Sequence, residues 1–365
     1  MTTTETPAPA DRKQRPLWRR LIGPLFSLVL LVAVFWWFLP QFTSLADVWT
    51  SVKSMSAAEV AILLLAAVWN LATYQFVVTS TMPGLTFGQA TVSTETTTAV
   101  SNTVLGGAAI SLGLTYAMNS SWGFSRSRTS VSLLVSGLFN NFAKLGLPVL
   151  ALALLLFDST PSPGRVAAGL AGVAGLVAAV VALWLLMRSR ESAARLGRVA
   201  GRWASAIIRP FGRPPVQGWD KATTKFRDRT ALLLHARWYW ITLATLVSHL
   251  SLFLVLLLAL RFVGVGADQV TWIEALAVFA FARLLTAIPF TPGGLGVVEL
   301  ALITGLAAAG GPRAEVAAAV LIFRALTYVL PIPIGLVTYV IWQRKRSWRR
   351  PPNTAPRTDL VPETA

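Results

Sequence analysis

The chain has 365 residues, 55% of them hydrophobic and 13% charged, and its 32 Lys and Arg against 15 Asp and Glu give a net charge of +17. Soluble domains carry roughly a quarter charged residues, and several apolar runs here exceed the ~18 residues that mark a membrane span, so the composition excludes a soluble domain and moves the basic excess from nucleic acid to a membrane setting. With no Cys and two His, His235 and His249, disulfides, thiolate metal sites and His-rich centres are excluded, and neither a metal nor a cofactor is expected.

Residues 1–20 form a basic tail (Arg12, Lys13, Arg15, Arg19, Arg20), read as disordered and cytoplasmic. The first apolar run, 21–39, contains Phe35, Trp36, Trp37 and Phe38 and no clear A-x-A site. It is longer than a signal-peptide core and is read as an anchored span. A second span follows at 57–80, then a region rich in Thr, Ser and Gly at 84–122, then spans at 130–157 and 166–187. Residues 188–237 are basic, with interleaved Leu196, Val199, Trp203, Ile207, Ile208 and Phe211 and a break at Pro214-Pro215. That pattern reads as an amphipathic helix lying on anionic headgroups. A fifth span covers 238–260. Residues 270–309 are apolar but broken at Pro289, Pro292, Gly293, Gly294 and Gly296; a sixth span covers 316–342, and 343–365 is a basic, Pro-rich tail. The Trp residues, including Trp18, Trp49, Trp122, Trp238 and Trp240, fall mostly at expected interfaces, as belt residues do.

Lys and Arg in loops stay on the cytoplasmic side. The N-terminal tail has five, the 188–237 segment twelve and the C-terminal tail six, so all three are placed inside. With those ends fixed, 84–122 must leave and return on the cytoplasmic side and 270–309 on the outer side. The expected fold is therefore an all-α polytopic membrane protein with six full spans and two re-entrant or broken-helix hairpins. Residues 21–157 and 166–342 each read span, span, hairpin, span in opposite directions, which is an inverted repeat of the kind that places a substrate site between interrupted segments. Gly106-Gly107 and Gly293-Gly294 stand at corresponding places, 187 residues apart.

The second hairpin carries the sharpest local pattern: Arg283, then Ile288-Pro289-Phe290-Thr291-Pro292-Gly293-Gly294-Leu295-Gly296-Val297-Val298-Glu299. Thr291 is expected to N-cap the returning helix, whose free N–H groups favour an anion. Arg283 and Glu299 each lie eight residues from Thr291, so a turn there sets them at similar depth, either as an ion pair closing the hairpin or as a ligand site. Arg324, within the last span, is either a second phosphate ligand or the partner of Glu299 or Glu274. Asn140, Asn141 and Lys144 fall inside the third span, where Asn141 and Lys144 share a face at i, i+3. Hydrogen bonding between helices accounts for the asparagines, whereas Lys144 is too deep to snorkel easily. Glu95 is a candidate proton or cation coupling site, and His249 an interhelical hydrogen-bonding group. The interior holds three basic and three acidic residues and is neutral as a whole.

The run from Pro289 to Glu299, with Arg283 before it, resembles the hallmark of the lysylphosphatidylglycerol synthase transmembrane region family, a flippase-like family, and the likeness extends over roughly 21–343. In multidomain relatives this region precedes a soluble aminoacyl transferase domain and is associated with moving the modified lipid between leaflets. Here the chain ends about twenty residues after its last span, so the resemblance implies the membrane module alone. The first half departs from the family pattern. Where relatives often show a Pro-Gly run leading into a Gly-Glu pair and an Arg, then a Glu-Arg pair, this chain has Asn102-Thr103-Val104-Leu105-Gly106-Gly107 and later Asn140-Asn141. A polyprenyl-linked sugar or another phospholipid fits as well as an aminoacyl lipid.

The expectation is an inner-membrane protein with both termini cytoplasmic that binds an anionic headgroup between the two hairpins and helps it cross. Arg283 and Arg324 would pair with phosphate through their permanent charge and fork geometry. The turn of Thr291, Pro292, Gly293, Gly294 and Gly296 would supply backbone donors, and Glu299 would position Arg283 or meet an amine. Asn140, Asn141, Lys144, Gly106 and Gly107 would complete the site. The expected partners are an anionic membrane lipid and, as a candidate, a second copy of the chain; nucleic acid is not expected. No Walker-type Gly-x4-Gly-Lys-Ser/Thr motif occurs, which leaves a gradient or mass action as driving force. The alternative class is a membrane transferase on lipid-linked substrates, for which Glu95, Glu274 and Glu299 are the available carboxylates, well separated in sequence.

Overall fold

The computed structural model describes residues 50, 53–104, 107–158, 173–175, 177–178, 181, 189–208, 218–286 and 296–351. Among these the regular structure is helical, and one isolated bridge joins Trp122 to Arg350. In chain order the helices are α1 (Ala57–Thr81), α2 (Phe87–Thr103), α3 (Gly107–Ser121), α4 (Arg126–Asp158), α5 (Arg190–Ile208), α6 (Trp219–Phe262), α7 (Trp272–Leu285), α8 (Val297–Ala308), α9 (Arg313–Arg324) and α10 (Pro331–Arg344). A π turn, Ala325–Val329, joins α9 to α10 without a break in the helical path.

Four stretches are long and apolar enough to cross a membrane: Ala57–Thr81, Arg126–Leu155, Arg227–Phe262 and Arg313–Arg344. They coincide with the spans expected at 57–80, 130–157, 238–260 and 316–342. The span expected at 21–39 lies outside the described residues, as does most of the one at 166–187. At 44 residues α6 is about 66 Å long, more than twice a hydrocarbon core of ~30 Å. The second half of the basic segment is thus the start of the helix that carries the span expected at 238–260, while α5 forms a separate helix alongside, held by Arg190 to Asp228 at 3.0 Å. Pro214 and Pro215 lie outside the described residues.

Local chemistry sets the helix starts. At α1, α2 and α7 the same reciprocal cap recurs: Ser56 with Glu59, Thr86 with Gln89, and Thr271 with Glu274. In each, the hydroxyl accepts from the third helical N–H and the longer side chain accepts from the cap N–H, satisfying two otherwise orphaned donors. This cap opens the first arm of both hairpins. It also places Glu274 at the far end of α7 from Arg283.

The helix packing joins distant parts of the chain. Helix α1 lies along α6, α2 along α10, and α7 along α4. The α1 and α6 contact is polar at its centre: Asn70 Nδ2 donates to Ser251 Oγ at 2.8 Å and to the Ser248 carbonyl at 3.2 Å, and Thr73 and Ser251 hydroxyls meet at 3.0 Å. Such bonds hold helices together where lipid removes the hydrophobic drive. Small residues give close approach elsewhere. A Cβ on Gly305 would collide with Val278, and one on Gly335 with the Glu95 carbonyl and Ala99. The main core gathers Leu256, Leu260, Phe279, Leu302, Leu306 and the alanines 317–319. Leu65, Val68, Leu336 and Val337 point outward, as lipid-facing side chains do.

Candidate functional site

Polar groups from six helices and the π turn converge where α7, α8 and α9 meet α4, α6 and the tip of hairpin one. Arg324, in the last turn of α9, donates from Nε to Glu299 Oε1 at 2.6 Å, with both residues 7% exposed. The sequence left Arg324 three roles, and the geometry selects the pairing with Glu299. Glu274 is spent in its cap, and no described bond joins Arg283 to Glu299. The Arg324 guanidinium also lies over the Tyr328 ring, 4.7 Å from its centroid, a cation–π contact worth roughly 1–2 kcal/mol when desolvated.

Tyr328 belongs to the π turn, where one extra residue re-aims the side chains that follow. Its hydroxyl donates to the Asn102 carbonyl at 2.8 Å, and Asn102 Nδ2 donates to the Tyr328 carbonyl at 3.0 Å. The tip of hairpin one is thereby clamped to the helix that carries Arg324. Gly107 shapes that tip: its N–H donates to the Val104 carbonyl at 2.7 Å, and an added Cβ would collide with the Val100 carbonyl and Ser101. Gly106 lies outside the described residues.

Arg283 sits in the last turn of α7, its Nε buried and without a hydrogen-bond partner among the described residues. It is near enough to Lys144 of α4, His249 of α6 and Arg324 for their charges to act on one another. His249 is buried and hydrogen-bonds the Asn140 backbone, while its Nδ1 has no partner among the described residues. Asn140 is thus tied to the cluster through its main chain. Asn141 lies on an exposed face, and the pairing with Lys144 suggested by their spacing has no described contact. Among the described residues the ion pairs are Arg190 with Asp228, Arg195 with Glu191, Arg227 with Asp228 and Arg324 with Glu299. Arg283 and Lys144 take part in none. The neutrality expected of the interior as a whole is therefore absent locally, because Glu95 and Glu274 lie elsewhere and Glu299 is committed to Arg324.

One expectation is corrected. Helix α8 begins at Val297 with Gly296 in the cap position at φ 82°, and its first bond runs from the Leu300 N–H to the Gly296 carbonyl at 3.0 Å. Thr291 is not its cap; the positive φ that Gly tolerates moves the start five residues later. Thr291, Pro292, Gly293 and Gly294 themselves lie outside the described residues. His249, Tyr328 and Asn102 matter more than their sequence context suggested. The signal for Tyr328 was its i, i+4 spacing from Arg324.

The sequence profile of the lysylphosphatidylglycerol synthase TM region matches residues 24–335. The chain belongs to that family. It is therefore a multi-pass membrane domain of the lysylphosphatidylglycerol synthase TM region family. The chain is also similar to the phosphatidylglycerol lysyltransferases of Staphylococcus aureus strains COL, MSSA476 and MRSA252, each 33% identical over 94 residues. That stretch is 26% of this chain and 11% of each relative, so the match spans a small part of those proteins.

Proposed function

We propose that this domain binds the phosphate of an anionic lipid headgroup at Arg283 and Lys144, beside the Arg324 and Glu299 pair, and helps that lipid cross the bilayer. The observation that carries the reading is the uncompensated positive charge. Arg283 and Lys144 stand together with no carboxylate partner among the described residues. A lone cation at the centre of a span costs at least about 2.5–3.5 kcal/mol, and a phosphate bound between the two would offset that cost through charge-assisted bonds. The names of the Staphylococcus aureus relatives, phosphatidylglycerol lysyltransferases, favour an anionic phospholipid; a polyprenyl phosphate presents the same phosphate chemistry.

The arrangement that brings the lipid to the cluster is, on this reading, an inverted repeat. The first arm of each hairpin packs on the last span of the other half, α2 on α10 and α7 on α4, as a pseudo-two-fold axis in the membrane plane requires. At 17, 15, 14 and 12 residues, α2, α3, α7 and α8 are about 18–25 Å long, short of a ~30 Å core, which favours re-entrant hairpins from opposite faces. On this reading both termini are cytoplasmic in a cell-membrane protein, which the basic segments support because Lys and Arg in loops stay on that side. On this reading the domain itself does no covalent chemistry on the lipid.

Purified protein in liposomes, followed for leaflet exchange of labelled phosphatidylglycerol, polyprenyl phosphate and phosphatidylcholine, tests this. Exchange of an anionic lipid that Arg283→Ala abolishes is the expected result. Folded protein that exchanges none of them refutes the reading, and a covalently altered lipid would move the domain to the transferase class.

A further inference from the structure

Half-way along α2, Glu95 is 4% exposed. Gln75 Nε2 on α1 donates to its Oε1 at 2.9 Å, and the Thr94 hydroxyl donates to Gln75 Oε1, which fixes the amide in that orientation. The other oxygen, Oε2, is buried with no hydrogen-bond partner among the described residues.

Helices α1, α3 and α10 pack on α2, and none of their charged groups compensates this carboxyl. On α1, Glu59 is held in its cap about 24 Å before Gln75, and Tyr74 is exposed. On α3, Tyr116 is bonded to Ser130. On α10, Tyr339 is exposed and Arg344 ends the helix about 13 Å beyond Gly335, the residue that touches the Glu95 carbonyl. An ionised Glu95 would be an isolated charge inside the membrane, among hydroxyl and amide groups but beside no cation of the described residues, at a cost of several kcal/mol. A proton on Oε2 removes that charge and leaves Oε1 free to accept from Gln75. A metal ion would need several converging ligands, and no group of three or more His, Asp or Glu side chains comes together among the described residues.

The carboxyl is mechanically joined to the cationic cluster. Helix α2 is locked to α10 by the close fit at Gly335 and by the Thr96 and Thr338 hydroxyls at 2.9 Å. Seven residues beyond Glu95, Asn102 clamps the π turn through Tyr328, whose ring lies beneath Arg324. Opening the seam between α1 and α2 would wet Glu95 and move α2 together with the helix that holds Arg324.

We propose that Glu95 is a proton-binding site that couples lipid exchange to a proton gradient. It rests on the lipid-exchange reading above. The carboxyl takes a proton from water on one face as Oε2–H, stays neutral while the seam is closed, and returns the proton to water on the other face; no other bond changes.

Two measurements on the full chain test it. The first maps, by mass spectrometry, carbodiimide labelling of wild-type protein across pH; the reagent adds the protonated carboxyl to give a stable acylurea. Labelling at Glu95 that is lost as pH rises is expected, and no labelling there at any pH overturns the proton site. The second compares lipid exchange with and without a pH gradient in wild type and Glu95→Gln, which keeps the acceptor for Gln75. Acceleration by the gradient in wild type and its loss in the variant are expected. Equal dependence in both, or none in wild type, overturns the coupling. If wild type exchanges no lipid at all, the lipid-exchange reading and the coupling fall together, while the labelling result decides the proton site by itself.

Discussion

Removing one member of the Arg324 and Glu299 pair should cost far more than removing both. The two side chains meet in a 2.6 Å bond with each residue 7% exposed, so Glu299→Ala takes from a buried guanidinium the carboxylate bonded to its Nε. Breaking such a pair from one side costs roughly 3–5 kcal/mol, whereas replacing both partners by apolar groups of similar volume is often close to neutral. Two features of this site set the magnitude within that range. The Tyr328 ring 4.7 Å from the guanidinium retains about 1–2 kcal/mol of stabilisation when Glu299 is lost, placing Glu299→Ala near the lower end. Arg324→Met leaves a buried carboxylate whose Oε2 already has no described partner, placing it near the upper end. The double variant Arg324→Met with Glu299→Leu should therefore recover at least about 2 kcal/mol relative to the sum of the singles. Reversible unfolding in mixed micelles measures all three against wild type. Additive costs, within about 0.5 kcal/mol, would refute the claim that the two charges are held buried by one another.

Other consequences follow from the packing. Tyr328→Phe and Asn102→Ala should each cost about 0.5–1.5 kcal/mol by the same unfolding measurement, and the double variant less than their sum, because the two bonds form one reciprocal clamp. Gly335→Val should destabilise by roughly 1–3 kcal/mol through overpacking, since any Cβ there meets Glu95 and Ala99; Leu336→Val, on the exposed neighbour, should be near neutral. The chain has no Cys, so a spin label at Trp203→Cys is unique. It should report the headgroup depth of anionic vesicles and move into water when Arg195, Arg198 and Arg202 are all changed to Gln, each basic residue near the surface contributing about 1 kcal/mol.

Much of the fold was legible because membrane spans announce themselves by length and apolarity, and the spans at 57–80, 130–157, 238–260 and 316–342 needed nothing more. The fused start of α6 was harder to read. The basic residues from Lys221 to Arg237 look like a loop by charge, yet helix propensity carries them into the span without a break. At the site, Arg283, Lys144 and Arg324 stood out because a charge in an apolar run is costly wherever it sits. Which carboxylate met which cation could not be read from spacing. The symmetric distances of Arg283 and Glu299 from a turn at Thr291, which lies outside the described residues, set their depth but not their partners, and Glu299 meets Arg324. The clamp between Asn102 and Tyr328 joins residues 226 apart, a separation at which periodicity carries no information. Its one local trace is the π turn, an insertion visible only in backbone hydrogen bonding. Glu95 was conspicuous as an acid in a Thr-rich helix, but Gln75, which orients it, looked like an ordinary polar residue in a span.

The most direct test of the central claim is native mass spectrometry of the protein with its retained lipids, for wild type, Arg283→Ala and Lys144→Ala, in mixed phosphatidylglycerol and phosphatidylcholine. The cationic cluster predicts selective retention of the anionic lipid by wild type and its loss, by about tenfold or more for each charge removed, in both variants. Retention that ignores headgroup charge, or that survives both substitutions, would contradict the assignment of Arg283 and Lys144 as the headgroup site.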